Sequence, residues 1–494
     1  MRPARLRRTA LALAAAAALA VPATAAAGVL GQGGVRMGAD ALWSRGVLGQ
    51  GERVAIVDEG FAGLDRSIAL GELPPREAMT IRSFDPLHGL DGRTDFGIPT
   101  QHGVRMAELI HDVAPRARLV LVGYRTIEQF EAAAAWVAAE GIPVVSHSNS
   151  FLTPPFDGTG RAARAVDAAA AAGVLWVNSA GNYAQRHWRG TATAEGTPVP
   201  IAPAAGTPLL FSAVWDPGAA AVEVTVERLD PSGAWAEVTR SAPAGPGNAV
   251  TPPVTADGAP MRLVARAAGP PAVTTDVFSQ TVGFDALAAE DASIPTPGDA
   301  RGALTVGAVK WTGVAREPYS SVGPTRDGRL KPDLVGPTYV TSNPEWPGTA
   351  GTSAATAHVA AAAVLLRQWR AARGLPAGPA DVRAQLTATA LDLGPAGPDP
   401  AYGAGMARLD AAAPRLLVRV APGRRRVVRV RATDAGTLRR VRISLDARSL
   451  RAVRRPAVGV RLPALTRRAS RLTVTAEDMA GNVTTRTRVL RRPR

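Results

Sequence analysis

An α/β architecture built on a doubly wound parallel sheet is predicted here, with an inserted β-sandwich and a C-terminal all-β domain. Three observations predict it. Short apolar runs alternate with Ala-rich helical stretches between Gly51 and Gly181. A period of two residues then replaces that pattern over about 186–291. After Pro414 only short alternating runs follow, with no helical period.

Each element follows from its residues. Val54–Val57, Leu119–Val122, Pro143–Val145 and Val174–Val177 are apolar without polar alternation. Such strands are covered on both faces, as in a parallel sheet flanked by helices. Phe130–Glu140 and Ala162–Ala172 supply two of the helices, the second ended by Gly173. Val222, Val224 and Val226 alternate with Glu223, Thr225 and Glu227, which predicts a strand with one wet face. Asp230-Pro231-Ser232-Gly233 reads as a turn, and further strands are predicted around Met261–Ala265 and Val273–Val282. Leu304–Val309 returns to the buried-strand type. Ala354–Gln368 reads as a helix, apolar nearly all round through Leu366 and therefore buried. Val441–Leu445 and Leu472–Thr475 are strands of the last domain, with a tight turn at Asp478–Asn482. The expected organisation is 1–27, 28–185, 186–291, 292–413 and 416–494.

Segment 1–27 has the features of an export signal. Arg2, Arg5, Arg7 and Arg8 precede the apolar run Ala10–Val21, and Ala25-Ala26-Ala27 offers a small-residue cleavage site. The mature protein is expected to be secreted, extracellular or cell-wall associated. No other run reaches the roughly 18 apolar residues of a membrane span, so no transmembrane segment is expected in the mature chain.

The 494 residues contain no cysteine, which excludes disulfides, thiolate nucleophiles and Cys-ligated metals. The net charge of +16 is concentrated at the C-terminus, where 411–494 hold 23 Arg and 4 acidic residues. Alternate arginines in Val427–Arg431 put Arg429 and Arg431 on one face of a strand. That basic domain, 416–494, is expected to meet anionic cell-wall polymers. It lacks aromatic platforms and known motifs, so no nucleic-acid partner is expected. The acidic loop Asp91–Asp95 is a candidate for calcium; no metal ligand or other cofactor is assigned.

Three residues stand where α/β folds keep reactive groups, at strand C-termini and helix N-termini. Asp58 closes the strand Val54–Val57, His102 opens a helix running to Ile110, and Ser353 heads the buried helix. Acid, base and hydroxyl are the parts of an acyl-transfer triad. A helix N-terminus also sets the Ser353 N–H and a positive dipole end beside a developing oxyanion. Asn182, just past Val174–Val177, offers a side-chain amide as second donor.

Val54–Asp58, Gln101-His102-Gly103, Ser179–Asn182 and Gly351–Ala360, in that order, resemble the subtilases, the subtilisin-like serine peptidases. Tyr319–Pro324 and Lys331-Pro332-Asp333 match further landmarks of that family. The resemblance covers about 45–185 and 292–413. It implies a sheet of subtilisin type, with Asp58 as orienter, His102 as general base, Ser353 as nucleophile and Asn182 as oxyanion donor. It places substrate-binding residues at Ser148, Asn149 and Ser150 on the strand Val145–Ser150, beside an extended peptide. Segment 416–494 resembles a bacterial immunoglobulin-like domain, chiefly through Leu472–Asn482. The implied function is a secreted serine endopeptidase acting on proteins or peptides. The alternative is a catalytically inactive subtilase-fold protein serving in adhesion or cell-wall binding. The chain departs from the family pattern at Glu59, which replaces a Thr or Ser. It also departs at Val104, replacing Thr, and at Ala357 and Ala361, replacing Pro and Gly. Ala361 predicts a more crowded helix–sheet contact. His358 is expected in the core.

Overall fold

The computed structural model describes residues 31–409 except 95, and 415–491 except 422–425, 434–437, 466–467 and 479–482. The expected export signal and most of the turn at Asp478–Asn482 lie outside the described residues.

Seven strands form the central sheet. Their spatial order is Leu334–Thr338, Leu304–Lys310, Leu175–Ser179, Val144–His147, Arg53–Asp58, Arg118–Gly123 and Thr80–Ser83. Every pairing between them is parallel. Alternate residues of the strand Arg53–Asp58 enter different cores, as a period of two requires. Val54 and Ile56 pack with Met106 and Leu109 of the helix His102–Val113 and with Val359 and Leu365 of the helix Thr352–Ala371. Ala55 and Val57 pack on the other face with Phe130, Val137 and Val166, from the helices Ile127–Ala139 and Arg161–Ala171. Both faces are therefore covered, which explains the absence of polar alternation. The edge strand Thr80–Ser83 and the short helices Gln32–Met37 and Ala39–Trp43 carry little apolar period and were not anticipated from the sequence.

The helix Thr352–Ala371 begins two residues before the expected start and is buried through Leu366. Its close approach to the sheet is taken up on the strand side. A Cβ at Gly336 would stand 2.6 Å from the Ala355 carbonyl oxygen. Ala361 is fully buried in the same core, so the sheet, rather than a helix glycine, supplies the room.

Between the strands Leu175–Ser179 and Leu304–Lys310 the chain turns antiparallel. One sheet has the order Trp235–Arg240, Val222–Leu229, Met261–Ala267 and Thr197–Ile201. The other has Ala242–Gly245, Asn248–Val250, Phe211–Trp215, Val273–Ser279 and His187–Ala192. Trp188, Phe211 and Val277 of one and Val224, Val226 and Leu263 of the other share one apolar cluster. The wet face expected for Val222–Leu229 is interrupted: Thr225 is buried, opposite Arg240, which pairs with Glu223.

Beyond 414 the described strands form two further antiparallel sheets, three-stranded and four-stranded. Val428, Val430, Ile443, Leu472 and Val474 fill the cluster they share. Among the described residues no helix is long and apolar enough to cross a membrane.

Candidate active site

Asp58 is the last residue of its strand and its side chain is 1% exposed. His102 is the first residue of its helix. Gly103 lets the two approach, because its N–H bonds the Gly60 carbonyl at 2.9 Å and a Cβ there would stand 2.6 Å from the Phe61 ring. The His102 Nδ1–H donates to Asp58 Oδ2 at 2.7 Å, which leaves Nε2 as the basic nitrogen. Burial pulls the His102 pKa down. The charge and hydrogen bond of Asp58, joined by the charge of Glu59, outweigh that and hold it above its ordinary value.

Gly351 adopts φ +103°, a conformation that favours glycine, and turns the chain into the buried helix. Ser353 follows two residues on, 6% exposed, with Oγ 3.4 Å from the Ser148 carbonyl oxygen. Two hydroxyls brace this turn. Tyr319 Oη accepts the Gly351 N–H at 3.0 Å, and Thr338 Oγ1 donates to the Gly351 carbonyl at 3.1 Å. Burial pushes the Tyr319 phenol up to about 12, so it stays protonated.

Asn182 follows Gly181, which also has positive φ, at +95°. Its Oδ1 accepts from both the backbone N–H and the hydroxyl of Thr352, each at 3.0 Å. The amide orientation is thereby fixed, and Nδ2 remains as a donor. Ser321 holds this loop, with its N–H on the Gly181 carbonyl and its Oγ accepting the Tyr183 N–H, both at 3.0 Å. The landmark segment Tyr319–Pro324 thus braces both the serine turn and the Asn182 loop.

A cleft of about 230 Å³ brings His102, Asn182 and Ser353 together with Ser148, Asn149 and Ser150. The strand expected over Val145–Ser150 ends earlier, at His147. The neighbouring strands end at Asp58 and Ser179, level with Ser148, so Asn149 and Ser150 lie past the ladder and Ser148–Ser150 border the cleft as irregular chain. His147 is core. It lies between Tyr124 Oη at 2.8 Å and Asn178 Oδ1 at 2.7 Å, and burial pushes it down to about 4. His358 is buried too, its Nδ1 donating to the Ala354 carbonyl at 2.7 Å.

The cleft has further walls: Glu59, Tyr183, Arg186, Gln280 and Thr352. Sequence reasoning did not assign these to substrate. Arg186 lies four residues past Asn182, a proximity that was available as a signal. Gln280 comes from the far end of the antiparallel insertion, and no local pattern announces it. A larger hollow of about 570 Å³ lies around Trp215, Pro217 and Ser241, but it contains no histidine and no base–hydroxyl pair. Among the described residues no group of three His, Asp or Glu is placed to hold a metal. Asp95 of the acidic loop lies outside them.

An aligned base and a hydroxyl lining one cleft, with an amide and a helix N-terminus facing the same space, are equipped for nucleophilic attack on a carbonyl. Residues 286–405 match the model of the subtilase family, peptidase family S8. That stretch includes Tyr319 and Ser353 but not Asp58, His102 or Asn182. No curated protein matches the chain. Among solved structures, the CspB protease of Clostridium perfringens is similar at a TM-score of 0.53 and 17% identity, over 76% of this chain and 97% of that one. This likeness shows a shared fold. A lanthipeptide protease gives a TM-score of 0.42 at 16% identity, over 76% of this chain and 91% of that one.

Proposed function

We propose that this protein is a serine endopeptidase that hydrolyses peptide bonds through an acyl-enzyme on Ser353. The observation that carries the reading is the Asp58–His102 pair, at 2.7 Å, opening with Ser353 onto one cleft beside the amide of Asn182. His102 Nε2 takes the Ser353 proton as Oγ attacks the carbonyl carbon. Asp58 steadies the imidazolium that results. The oxyanion accepts from the Ser353 N–H and from Asn182 Nδ2. His102 then gives the proton to the leaving amine, and water repeats the sequence to release the acid. The family match at 286–405 supports the reading.

The same proposal has the protein exported on 1–27. It treats 186–291 as an inserted β-sandwich and 416–494 as an immunoglobulin-like arm that holds anionic wall polymers. In favour of the last point, Arg429 and Arg431 are exposed on a strand whose intervening Val428, Val430 and Ala432 are buried.

Labelling with a fluorophosphonate tests the reading. Ser353 should be modified and peptide hydrolysis should cease. Ser353→Ala and His102→Ala should each lower hydrolysis by several powers of ten, and the double variant by little more, because the pair acts as a unit. Full activity in Ser353→Ala overturns the reading. An unlabelled Ser353 with no hydrolysis favours a catalytically inactive wall-binding protein.

A further inference from the structure

Among the described residues, Arg186 is the one arginine lining the cleft that holds Ser353. It lies where the Asn182 loop passes into the strand His187–Ala192. Its backbone is fixed there, with its N–H on the Tyr183 carbonyl at 2.9 Å and its carbonyl accepting from Ser279 at 2.8 Å. Its Nη1 donates to the Gln280 carbonyl at 2.9 Å. The guanidinium is thus held by one of its five N–H donors, and the group is half-buried.

Among the described residues no carboxylate forms an ion pair with Arg186. The carboxylate of Asp276, in the strand next to His187–Ala192, is already shared by His187, Arg189 and Arg326. The cleft's own carboxylate, Glu59, lies 4.0 Å from Arg125. A fixed cation therefore faces a polar cleft whose other walls, apart from Glu59 and His102, are hydroxyls, amides and backbone. A guanidinium in that setting favours a carboxylate over a neutral amide of the same shape, through charge-assisted hydrogen bonds that water screens incompletely.

We infer that Arg186 is a specificity-determining residue that receives the carboxylate of an Asp or Glu side chain adjacent to the scissile bond. The inference rests on the peptidase reading above and names the substrate class of that same site. The acidic side chain lies between Ser148–Ser150 and the Asn182–Arg186 loop, while the attacked carbonyl sits against Asn182 and Ser353.

The test is a set of internally quenched peptides differing only at the two positions flanking the cleaved bond, with Asp or Glu compared against Asn or Gln. The wild type should cleave the acid over its amide by on the order of tenfold to a hundredfold in kcat/KM at one of the two positions. That ratio should shrink as salt is raised. Arg186→Gln should bring the ratio close to one, and Arg186→Glu should turn the preference towards Lys or Arg. A purely structural clamp on Gln280 would not move the ratio. Hydrolysis by the wild type without an acid preference overturns this inference alone, whether or not the variants fold. A preference that survives in folded Arg186→Gln does the same. No hydrolysis of any peptide, with Ser353 unlabelled by fluorophosphonate, overturns the peptidase reading and this inference together.

Discussion

Asn182 and Thr352 are joined twice: one amide oxygen accepts both the N–H and the hydroxyl of the residue before the candidate nucleophile. The bond fixes which end of the amide faces the cleft. It also ties the position of the donor to the helix that carries Ser353.

From this pairing, Asn182→Ala should lower kcat by roughly a hundredfold to a thousandfold with KM almost unchanged, the signature of a group that acts only in the transition state. Thr352→Val keeps the backbone donor but loses the hydroxyl, and should cost far less. Steady-state kinetics on one peptide decide it. An Asn182→Ala effect confined to KM would assign the amide to ground-state binding.

Glu59 contributes, after Asp58, to the pH at which the base becomes available. Its charge helps to hold the His102 pKa up, and catalysis needs the neutral imidazole. Activity should therefore rise with pH through a value above that of a free histidine. Glu59→Gln removes one contribution, so the acid limb of kcat/KM should move to lower pH. A shift to higher pH contradicts the assignment.

Asp276 concentrates charge within the antiparallel insertion. It bonds His187 at 2.6 Å and Arg189 at 2.8 Å, and pairs with Arg326 from the segment beyond the insertion. Burial raises its pKa, but these partners outweigh that and hold it below the ordinary carboxylate range. Its stabilisation is then present above the unfolded pKa of about 3.9, and is lost as pH falls through the lower folded value. Asp276→Ala should cost about 3–5 kcal/mol at neutral pH, because it strands half-buried cations. Denaturant unfolding at pH 7 and pH 3 should show the penalty shrinking with acid. An equal penalty at both would point to packing.

Asp112 has the opposite sign. Burial, with the charges of Glu72 and Glu108, pushes its pKa up to about 8. The folded state resists its ionisation, so stability is full below about pH 3.9 and is lost as pH rises from there towards the folded value of about 8. Asp112→Asn should stabilise on the order of 2 kcal/mol at pH 8, with a smaller gain at pH 5. Thermal melts of both proteins give the comparison, and a gain independent of pH would rule out ionisation as the cause.

Much of this arrangement was legible beforehand because it is local. Val54–Val57 announce a buried strand, and a strand that ends in Asp58 puts that carboxylate at the sheet's C-terminal edge. Gly351-Thr352-Ser353 ahead of a long apolar run marks a helix start. What stayed hidden depends on partners distant in sequence. The strand Val144–His147 stops one residue short of its neighbours' ends, which Ser148–Ser150 do not reveal. Arg186 meets Gln280 only because His187–Ala192 and Val273–Ser279 pair as antiparallel strands. Thr225 looked solvent-facing because the alternation does not show the Arg240–Glu223 pair beside it.

The pairing of His187 with Phe278 means that the chain departs for the antiparallel sheets and comes home through adjacent strands. Those two strands meet at the rim of the cleft, and the Asp276–Arg326 pair and the Asn248–Leu152 hydrogen bond tie the excursion to the flanking chain there. Lengthening or pruning its far end should leave the spacing of Asp58, His102 and Ser353 untouched. On the inference drawn above, changing the root at Arg186 or Gln280 should alter what is admitted. On that reading, diet can be retuned without rebuilding the chemistry.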